Sequence, residues 1–506
     1  MSRKVMLMRC KLASSLALGL LVVACSSAPS GDGASGANGG NSNSSGKGGS
    51  DSSGGKAGSG GSGEDGSGGS AGSGSGGTSG GAMGGGSGNT PSDCATDIMG
   101  TLSPKIGTVG IVTFSTSMKD VTEANIDFGL DTKYGFTAPV DLKADKYRTL
   151  MLGMKAAKMY HYRLRVKNSQ GECMSGDNTI MTGPPVNGVP TIKVTTTDAT
   201  KLSGGFVLTG VYGDGNGAYI LDADADTVWF AGASVPQAAS ARMSYDGKYM
   251  WVSGVNCCTP NNKGNVHRIS MDGTMDEDLG KQFPGQNHQL TVLPDETVAF
   301  YAYNLSAMGA CDDIFERSPD GKTKLIVNSG MAQGVTTGCH LNTIQYSEMD
   351  NTYVFSDLDH NSIVKIDRTG KTIWVLNGTD GVMGTVGTGL WAGHQHGIHV
   401  IEANHILMFN NNQGMGSSQV FEWIIDPMAK MTMKKWQYVP SPAIMVSVMG
   451  DVQRMSNGNT MVAFSDKAIL QEVSSDGKAL QSWSWPLGGG IGFIEKRLSL
   501  YGKPGK

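Results

Sequence analysis

The sequence predicts an all-β protein, with a small β-sandwich followed by a six-bladed β-propeller. Three observations carry that expectation. A polar turn between two apolar runs recurs six times, the turns are nearly evenly spaced, and the stretches between them alternate apolar and polar residues at strand period. The turns lie in Ile220-Leu-Asp-Ala-Asp-Ala-Asp-Thr-Val-Trp229, His267-Arg-Ile-Ser-Met-Asp-Gly273, Ile314-Phe-Glu-Arg-Ser-Pro-Asp-Gly321, Ile363-Val-Lys-Ile-Asp-Arg-Thr-Gly370, Val420-Phe-Glu-Trp-Ile-Ile-Asp-Pro427 and Leu470-Gln-Glu-Val-Ser-Ser-Asp-Gly477. Asp-Gly between alternating apolar residues is a strong hairpin signal. Asp272 to Asp320 is 48 residues, Asp320 to Thr369 is 49, Thr369 to Asp426 is 57 and Asp426 to Asp476 is 50. A unit of about 50 residues with several short strands cannot bury a core alone, so the units must stack, and radial stacking gives a propeller.

Residues 1–24 read as a targeting segment rather than as part of the fold. Arg3, Lys4, Arg9 and Lys11 make a basic start, and Leu12 to Ala24 is an apolar run too short to span a bilayer comfortably. Val22-Val23-Ala24-Cys25 resembles a bacterial lipobox. The resemblance implies a lipoprotein signal peptide cleaved before Cys25, with the lipid carried on that residue. Ser26 in place of an aspartate then implies the outer membrane of a bacterial cell envelope, on the periplasmic face or the cell surface.

Residues 25–92 form the next region. Between 31 and 90, 27 positions are Gly and 15 are Ser, so this stretch cannot bury apolar surface and is expected to be a disordered tether. Its mean span is on the order of 45 Å, enough to hold a folded body clear of a membrane surface. The formal net charge is −4 with no basic block, which argues against a nucleic-acid partner.

Residues 93–184 read as the sandwich. In Met159-Tyr-His-Tyr-Arg-Leu-Arg-Val166, Tyr160, Tyr162, Leu164 and Val166 share one face, and His161, Arg163 and Arg165 share the solvent face. Met154-Lys-Ala-Ala-Lys-Met-Tyr160 resembles the corner before a tyrosine in fibronectin type III-like domains. Residues 185–506 carry the propeller, and 491–502 are expected to supply a closing strand, because a ring must satisfy its last edge. Of the eight cysteines, Cys10 leaves with the signal and Cys25 takes the lipid. An even number remains, which fits disulfides in an exported protein. Cys94–Cys173 is the preferred pair and Cys311–Cys339 a second, while the vicinal Cys257-Cys258 stays open. No CxxC or Cys/His spacing supports a zinc site, and no cofactor is implied.

Three histidines occupy one phase of the repeat: His288 in His288-Gln-Leu-Thr-Val292, His340 in His340-Leu-Asn-Thr-Ile344, and His396 in His396-Gly-Ile-His-Val400. Radial units bring phase-matched residues to the axis, so three imidazoles are expected to converge. The bland alternative is a polar lining of a solvated channel. His394, His396 and His399 resemble a metal cluster, but alternation on a strand sends His399 away from the other two. His267 alternates with Ile269 and reads as structural, and His405 reads as a surface residue ending a hairpin. Trp229, Trp251, Trp374, Trp423 and Trp436 sit in strand-like runs and are expected in the core.

From roughly 195 to 502 the chain resembles the bacterial arylsulfate sulfotransferase family. Three stretches in order carry the resemblance. The first is His340-Leu-Asn342 with Thr352-Tyr-Val-Phe-Ser356 and Thr372-Ile-Trp374. The second is Gln395-His396 running into Ile406-Leu-Met-Phe-Asn-Asn411. The third is Met449-Gly-Asp-Val-Gln-Arg454 with Asn457-Gly-Asn459. The resemblance implies transfer of a sulfuryl group from an aryl sulfate to a phenolic acceptor, without a nucleotide donor or cofactor. It implies His396 as the nucleophile that becomes sulfohistidine, His340 and Asn342 as holders of the sulfuryl oxygens, and His288 as a third pocket histidine. A sulfate ester is hindered and anionic, so a neutral imidazole that splits the transfer into two steps suits the chemistry. Donors aimed at the developing charge supply much of the rate, and a further histidine can take the phenolic proton. The pattern departs at one point. The family's arginine, 18 residues after the His of His-x-Asn, falls on Leu358. Arg242 and His360 are the candidate substitutes. The alternative reading is a non-catalytic surface propeller that binds a ligand or partner protein. A quinone-dependent dehydrogenase propeller has no distinctive residue in its support.

Cys25→Ser should leave the precursor unprocessed or release the body from the membrane fraction. Unchanged processing and fractionation would count against the lipobox.

Overall fold

The computed structural model describes residues 95–232, 235–255, 263–303, 311–336, 338–378, 385–387, 390–486 and 488–504. The targeting segment, Cys25, the tether, Cys94, Cys257 and Cys258 lie outside the described residues. Strands dominate, and among the described residues the α-helical segment is the five-residue Ser329–Gln333.

The first folded part pairs two sheets. One orders Ala95–Leu102, Gly110–Thr116 and Thr149–Met151. The other orders Phe136–Pro139, Glu123–Gly129, Met159–Asn168 and Gly171–Met174. Met159–Asn168 alternates as its sequence requires, and Tyr160, Tyr162, Leu164 and Val166 join Val112, Phe114, Ile126 and Phe128 in one core. On its other face Arg163 and Arg165 converge on Asp127, and His161 pairs with Asp177 at 2.7 Å. The Tyr160 hydroxyl accepts from the Lys155 amide at 2.9 Å. Cys173 is disulfide-bonded.

This part docks on the rest of the chain. Ile106, Val109 and Leu152 share a core with Phe206, Leu208, Trp229 and Leu500. Lys155 reaches Asp222, Asp224 and Asp226 at 3.2, 2.6 and 2.6 Å. Thr108 donates to the Val228 carbonyl at 2.7 Å.

The remaining strands form antiparallel meanders. Six lead strands organise them, named here β1 (Ala238–Met243), β2 (Gln286–Val292), β3 (Leu341–Ser347), β4 (Gln395–Glu402), β5 (Asp451–Arg454) and β6 (Gly490–Arg497). From β1 to β5, each opens a meander of consecutive strands. β6 comes last in the chain yet pairs with Phe206–Tyr212, the first strand of its own meander. β6 also meets β1 through the parallel pair Ser240–Phe493, so these two meanders appear as one eight-stranded sheet. Each lead strand contacts the next, and β6 contacts β1, which makes a closed cycle. The expected closing strand is thus β6. A second closure was not foreseen: Lys193–Thr196, from the start of this region, adds to the outer edge of the β5 sheet. The turns use glycine where the backbone needs it. Gly273, Gly321, Gly370 and Gly477 all have φ between 69° and 88°, the left-handed region that other residues enter at a cost.

Inside the cycle, side chains stitch one lead strand to the next. Gln289 accepts from the Ile344 amide (2.9 Å), Gln345 from Val400 (3.1 Å), His399 from Arg454 (2.9 Å), Gln453 from Lys496 (2.7 Å) and Glu495 from Met243 (3.1 Å). Five seams therefore share one device. At the corresponding place on β1 stands Arg242, whose guanidinium cannot accept a hydrogen bond. That seam is held instead by Glu296, which accepts from the Tyr245 amide at 3.0 Å.

The structure corrects two expectations. His405 is buried, with Nε2 2.6 Å from Glu422, because a charged partner waits at the hairpin end. Trp436 is half-buried and stacks on Tyr438 and Arg454, since its strand is the outer one of its sheet. Trp229, Trp251, Trp374 and Trp423 are core residues. Cys311 and Cys339 form a disulfide with Cα atoms 4.5 Å apart.

Gln453→Leu should strand both hydrogen bonds that Gln453 makes to the Lys496 backbone. A stability loss of about 2 kcal/mol is expected in urea unfolding, and a loss below about 0.5 kcal/mol would mean the seam is not a structural tie.

Candidate active site

Three lead strands lose regular pairing at or just beside the three histidines. Against its neighbour, β2 shifts register between Gln286 and Leu290, β3 between Leu341 and Thr343, and β4 between Gln395 and Ile398. In a regular strand these side chains would alternate onto the two sheet faces. A bulge breaks the alternation and re-aims them. His288 takes φ 43° and His394 φ 38°, left-handed values that non-glycine residues hold only when their surroundings impose them.

The result is a cluster drawn from three sheets. The His288 ring lies 5.9 Å from that of His340 and 6.2 Å from that of His396. The His396 ring also lies 5.5 Å from Phe493 of β6. His288 and His396 are buried and His340 half-buried. Burial, with His340 nearby, pushes His396 down to about 3. Burial and both neighbours hold His288 well below the usual histidine range. Burial lowers His340 too, with Asp359 and Asp357 pulling the other way. All three imidazoles are therefore neutral at pH 7, the form in which a ring nitrogen keeps a lone pair for attack or proton transfer. The Nδ1 atoms of His288, His394 and His396 are buried and have no partner among the described residues.

The supporting shell is dense. Ser253 donates to the His288 carbonyl at 2.7 Å and Ser356 to the His396 carbonyl at 3.1 Å. His340 is pinned on both sides of its backbone: its amide donates to Asp357 at 2.9 Å, and its carbonyl accepts from the Leu358 amide at 2.8 Å. Asp357 also takes Gln333 and the His360 ring. Beside it Asp312 accepts from the Leu341 amide, and burial with neighbouring carboxylates holds it well above the usual range. The Cys311–Cys339 disulfide ties the residue before Asp312 to the residue before His340.

The expected residues do not all behave alike. His288, His340 and His396 come together. Asn342 does not share a regular strand face with His340, because His340 precedes β3 and Asn342 sits in the register shift. One amide hydrogen of Asn342 is committed to the Gln395 carbonyl at 2.9 Å, which fixes the residue before His396. Neither candidate cation stands free: Arg242 donates to the Ile494 carbonyl at 2.5 Å and lies 3.9 Å from Asp451, while His360 is paired with Asp357 at 2.9 Å. His399 turns away to β5 through its bond with Arg454. Among described residues, two groups have ligand atoms close enough for a metal. One is Cys339, Asp357 and His360, and the other Asp222, Asp224 and Asp226. The first has its sulfur spent in the disulfide, and the second already holds Lys155. Sequence reasoning missed Asp357, Asp451 and Phe493, whose only signal was that the first follows Ser356, the second lies in Met449–Arg454 and the third in the closing strand.

Because folding keeps His288, His396 and His399 neutral, the unfolded chain binds more protons below the ordinary histidine pKa. Stability is therefore full above about pH 6.5 and falls as pH drops below it, by roughly 1–2 kcal/mol per histidine at pH 5. Urea unfolding at pH 7.5 and pH 5 should show a smaller difference in His396→Gln than in the wild type. An equal difference would count against the buried neutral state.

The chain is similar to several solved structures at low identity. One, a protein of unknown function from Bacteroides caccae, shows 13% identity, covers 58% of this chain and 98% of its own, and has TM-score 0.38. An auxiliary nutrient binding protein from Bacteroides thetaiotaomicron shows 11% identity over 77% of this chain and 98% of its own, with TM-score 0.36. Virginiamycin B lyase from Staphylococcus aureus shows 13% identity over 57% and 88%, with TM-score 0.36. No curated protein matches the chain. Residues 327–484, the segment that holds His340, Asn342 and His396, match the family model described as Arylsulfotransferase (ASST).

Proposed function

We propose that this protein is a nucleotide-independent aryl sulfotransferase, built as a six-bladed propeller with a fibronectin type III-like sandwich at its side. Cys25 and the Gly/Ser tether would hold it to the outer membrane. The observation that carries the reading is the convergence of His288, His340 and His396 from three sheets, two of them inside the arylsulfotransferase match.

In this reading His396 attacks the sulfur of an aryl sulfate. The sulfur–oxygen bond to the ring breaks, the phenolate leaves with the electron pair, and a sulfohistidine remains. A second phenol then attacks sulfur and the sulfur–nitrogen bond breaks, returning the pair to His396. By analogy with phosphoryl transfer, charge spreads over the sulfuryl oxygens in a loose transition state. His340 and the uncommitted amide hydrogen of Asn342 face that charge, and His288 takes the acceptor's proton.

A second reading, a non-catalytic surface module that binds a ligand or partner, is favoured by one observation. Leu358 is bonded through its backbone to His340, at the position where the family resemblance calls for a guanidinium, and the carboxylates Asp357 and Asp359 act on the same histidine. Such surroundings weaken the hold on an anionic ester.

Incubation with a chromogenic aryl sulfate, with and without a phenol, separates the two. Transfer should be ping-pong, and withholding the acceptor should trap a sulfated protein that His396→Ala cannot form. Leu358→Arg should raise turnover by roughly tenfold, a part of what one charge-stabilising donor usually supplies. A wild-type protein that neither traps sulfate nor gains from Leu358→Arg would support the binding module.

A further inference from the structure

Two buried polar atoms on neighbouring lead strands lack partners among the described residues. His396 Nδ1 is one, and Asp451 Oδ1 is the other. Gly397 follows His396 in the chain. A Cβ on Gly397 would come within 2.2 Å of Asp451 Oδ1, so the carboxylate rests against the backbone that follows His396. The Gly397 amide donates to the Gly450 carbonyl at 2.9 Å, which fixes the start of β5 against β4. The two residues share a second neighbour. The His396 ring lies against Phe493, and Asp451 Oδ2 accepts from the next residue's amide, Ile494, at 2.9 Å. Asp451 is 1% exposed, and burying a carboxylate there is costly unless its charge is used or compensated.

We infer that Asp451 is a positioning residue for His396: through one bridging water it accepts the Nδ1 proton and keeps Nε2 as the atom that reacts. The inference rests on the sulfotransferase reading for its chemistry. When Nε2 forms the nitrogen–sulfur bond and the aryl oxygen leaves with its electron pair, the ring would become cationic. Transfer of the Nδ1 proton to Asp451 leaves an N-sulfoimidazole whose ring is neutral and whose sulfonate keeps its single negative charge, together with a neutral carboxylic acid and the departed phenolate. In the return step the acceptor's oxygen attacks sulfur, Asp451 gives the proton back to Nδ1, and the reprotonated ring leaves more readily. Proton count and charge balance in each half.

The groups around the carboxyl suit this exchange. Facing it are Arg242 of β1 at 3.9 Å and Gly397 of β4, the residue after His396. From β6 come the Ile494 amide and the Phe493 ring, and from β5 itself the Val452 amide. Burial raises Asp451 to about 6, with Arg242 and the two amides opposing, so it can lose and regain a proton near neutral pH.

The test follows the ring nitrogen NMR signals of His396 in the full chain, identified by their loss in His396→Gln. In the wild type they should shift with a midpoint near 6, reporting Asp451, and Asp451→Asn should abolish that step. The same variant should slow sulfation of His396 by roughly 100-fold while leaving aryl sulfate binding within about threefold. A folded Asp451→Asn with an unchanged His396 titration overturns the inference. If Asp451→Asn does not fold, Arg242→Gln takes its place: losing the guanidinium should raise the midpoint by about one pH unit, and an unmoved midpoint overturns the inference. The NMR readout needs no substrate. A wild type that shows the linked titration but is never sulfated would therefore sink the sulfotransferase reading and leave the Asp451–His396 pairing standing.

Discussion

The centre of this protein depends on how the exposed edge of each lead strand is satisfied. Apart from the single parallel pair Ser240–Phe493 between β6 and β1, each lead strand pairs along one side, so its other side presents backbone amides that cannot be left bare in a buried place. Gln289, Gln345, His399, Gln453 and Glu495 meet this need with the same act, each accepting from an amide on the next lead strand. The bonds are worth about 1 kcal/mol each, yet together they set the register of one sheet against the next. Everything aimed at the middle inherits its position from that register.

The histidines sit where the register is deliberately broken. Each of β2, β3 and β4 shifts its pairing at the level of His288, Asn342 or His396, and that is where side chains leave the sheet faces for the centre. The strain of the left-handed His288 and His394 is carried by backbone ties such as Ser253 to His288 and Asn411 to His394. Arg242 is the exception among the stitching positions. In giving up the seam it places a guanidinium near Asp451, a buried carboxylate that would otherwise stand without a counter-charge.

Burial dominates the electrostatics of the cluster. Burial makes the imidazoles neutral and therefore nucleophilic, but it also removes the positive charge a sulfuryl group would meet. Leu358 adds none, although Asp357 and Asp359 favour the protonated form of His340 against its burial. The site is thus better built for attack by nitrogen and for proton exchange than for electrostatic capture. Asn342, Gln395 and the disulfide-braced loop before His340 fix the backbone around these imidazoles.

The repeat, the all-β character, the closing strand and the meeting of three histidines were legible in the sequence, because each follows from periodicity. A residue repeated at one phase of a closed array must recur around its axis, whatever the side-chain details. Alternation likewise put Tyr160, Tyr162, Leu164 and Val166 on one buried face and Trp229 in the core. Periodicity could not foresee where alternation fails. The bulges that re-aim His396, the commitment of Asn342 to the Gln395 carbonyl and the burial of His405 against Glu422 all depend on partners far along the chain. So do the second closure by Lys193–Thr196 and the pairing of Asp451 with Arg242. The sequence by itself determined which residues repeat and therefore which must meet. Only the tertiary structure decided which of their atoms are free to react, because that is set by hydrogen bonds between residues tens to hundreds of positions apart.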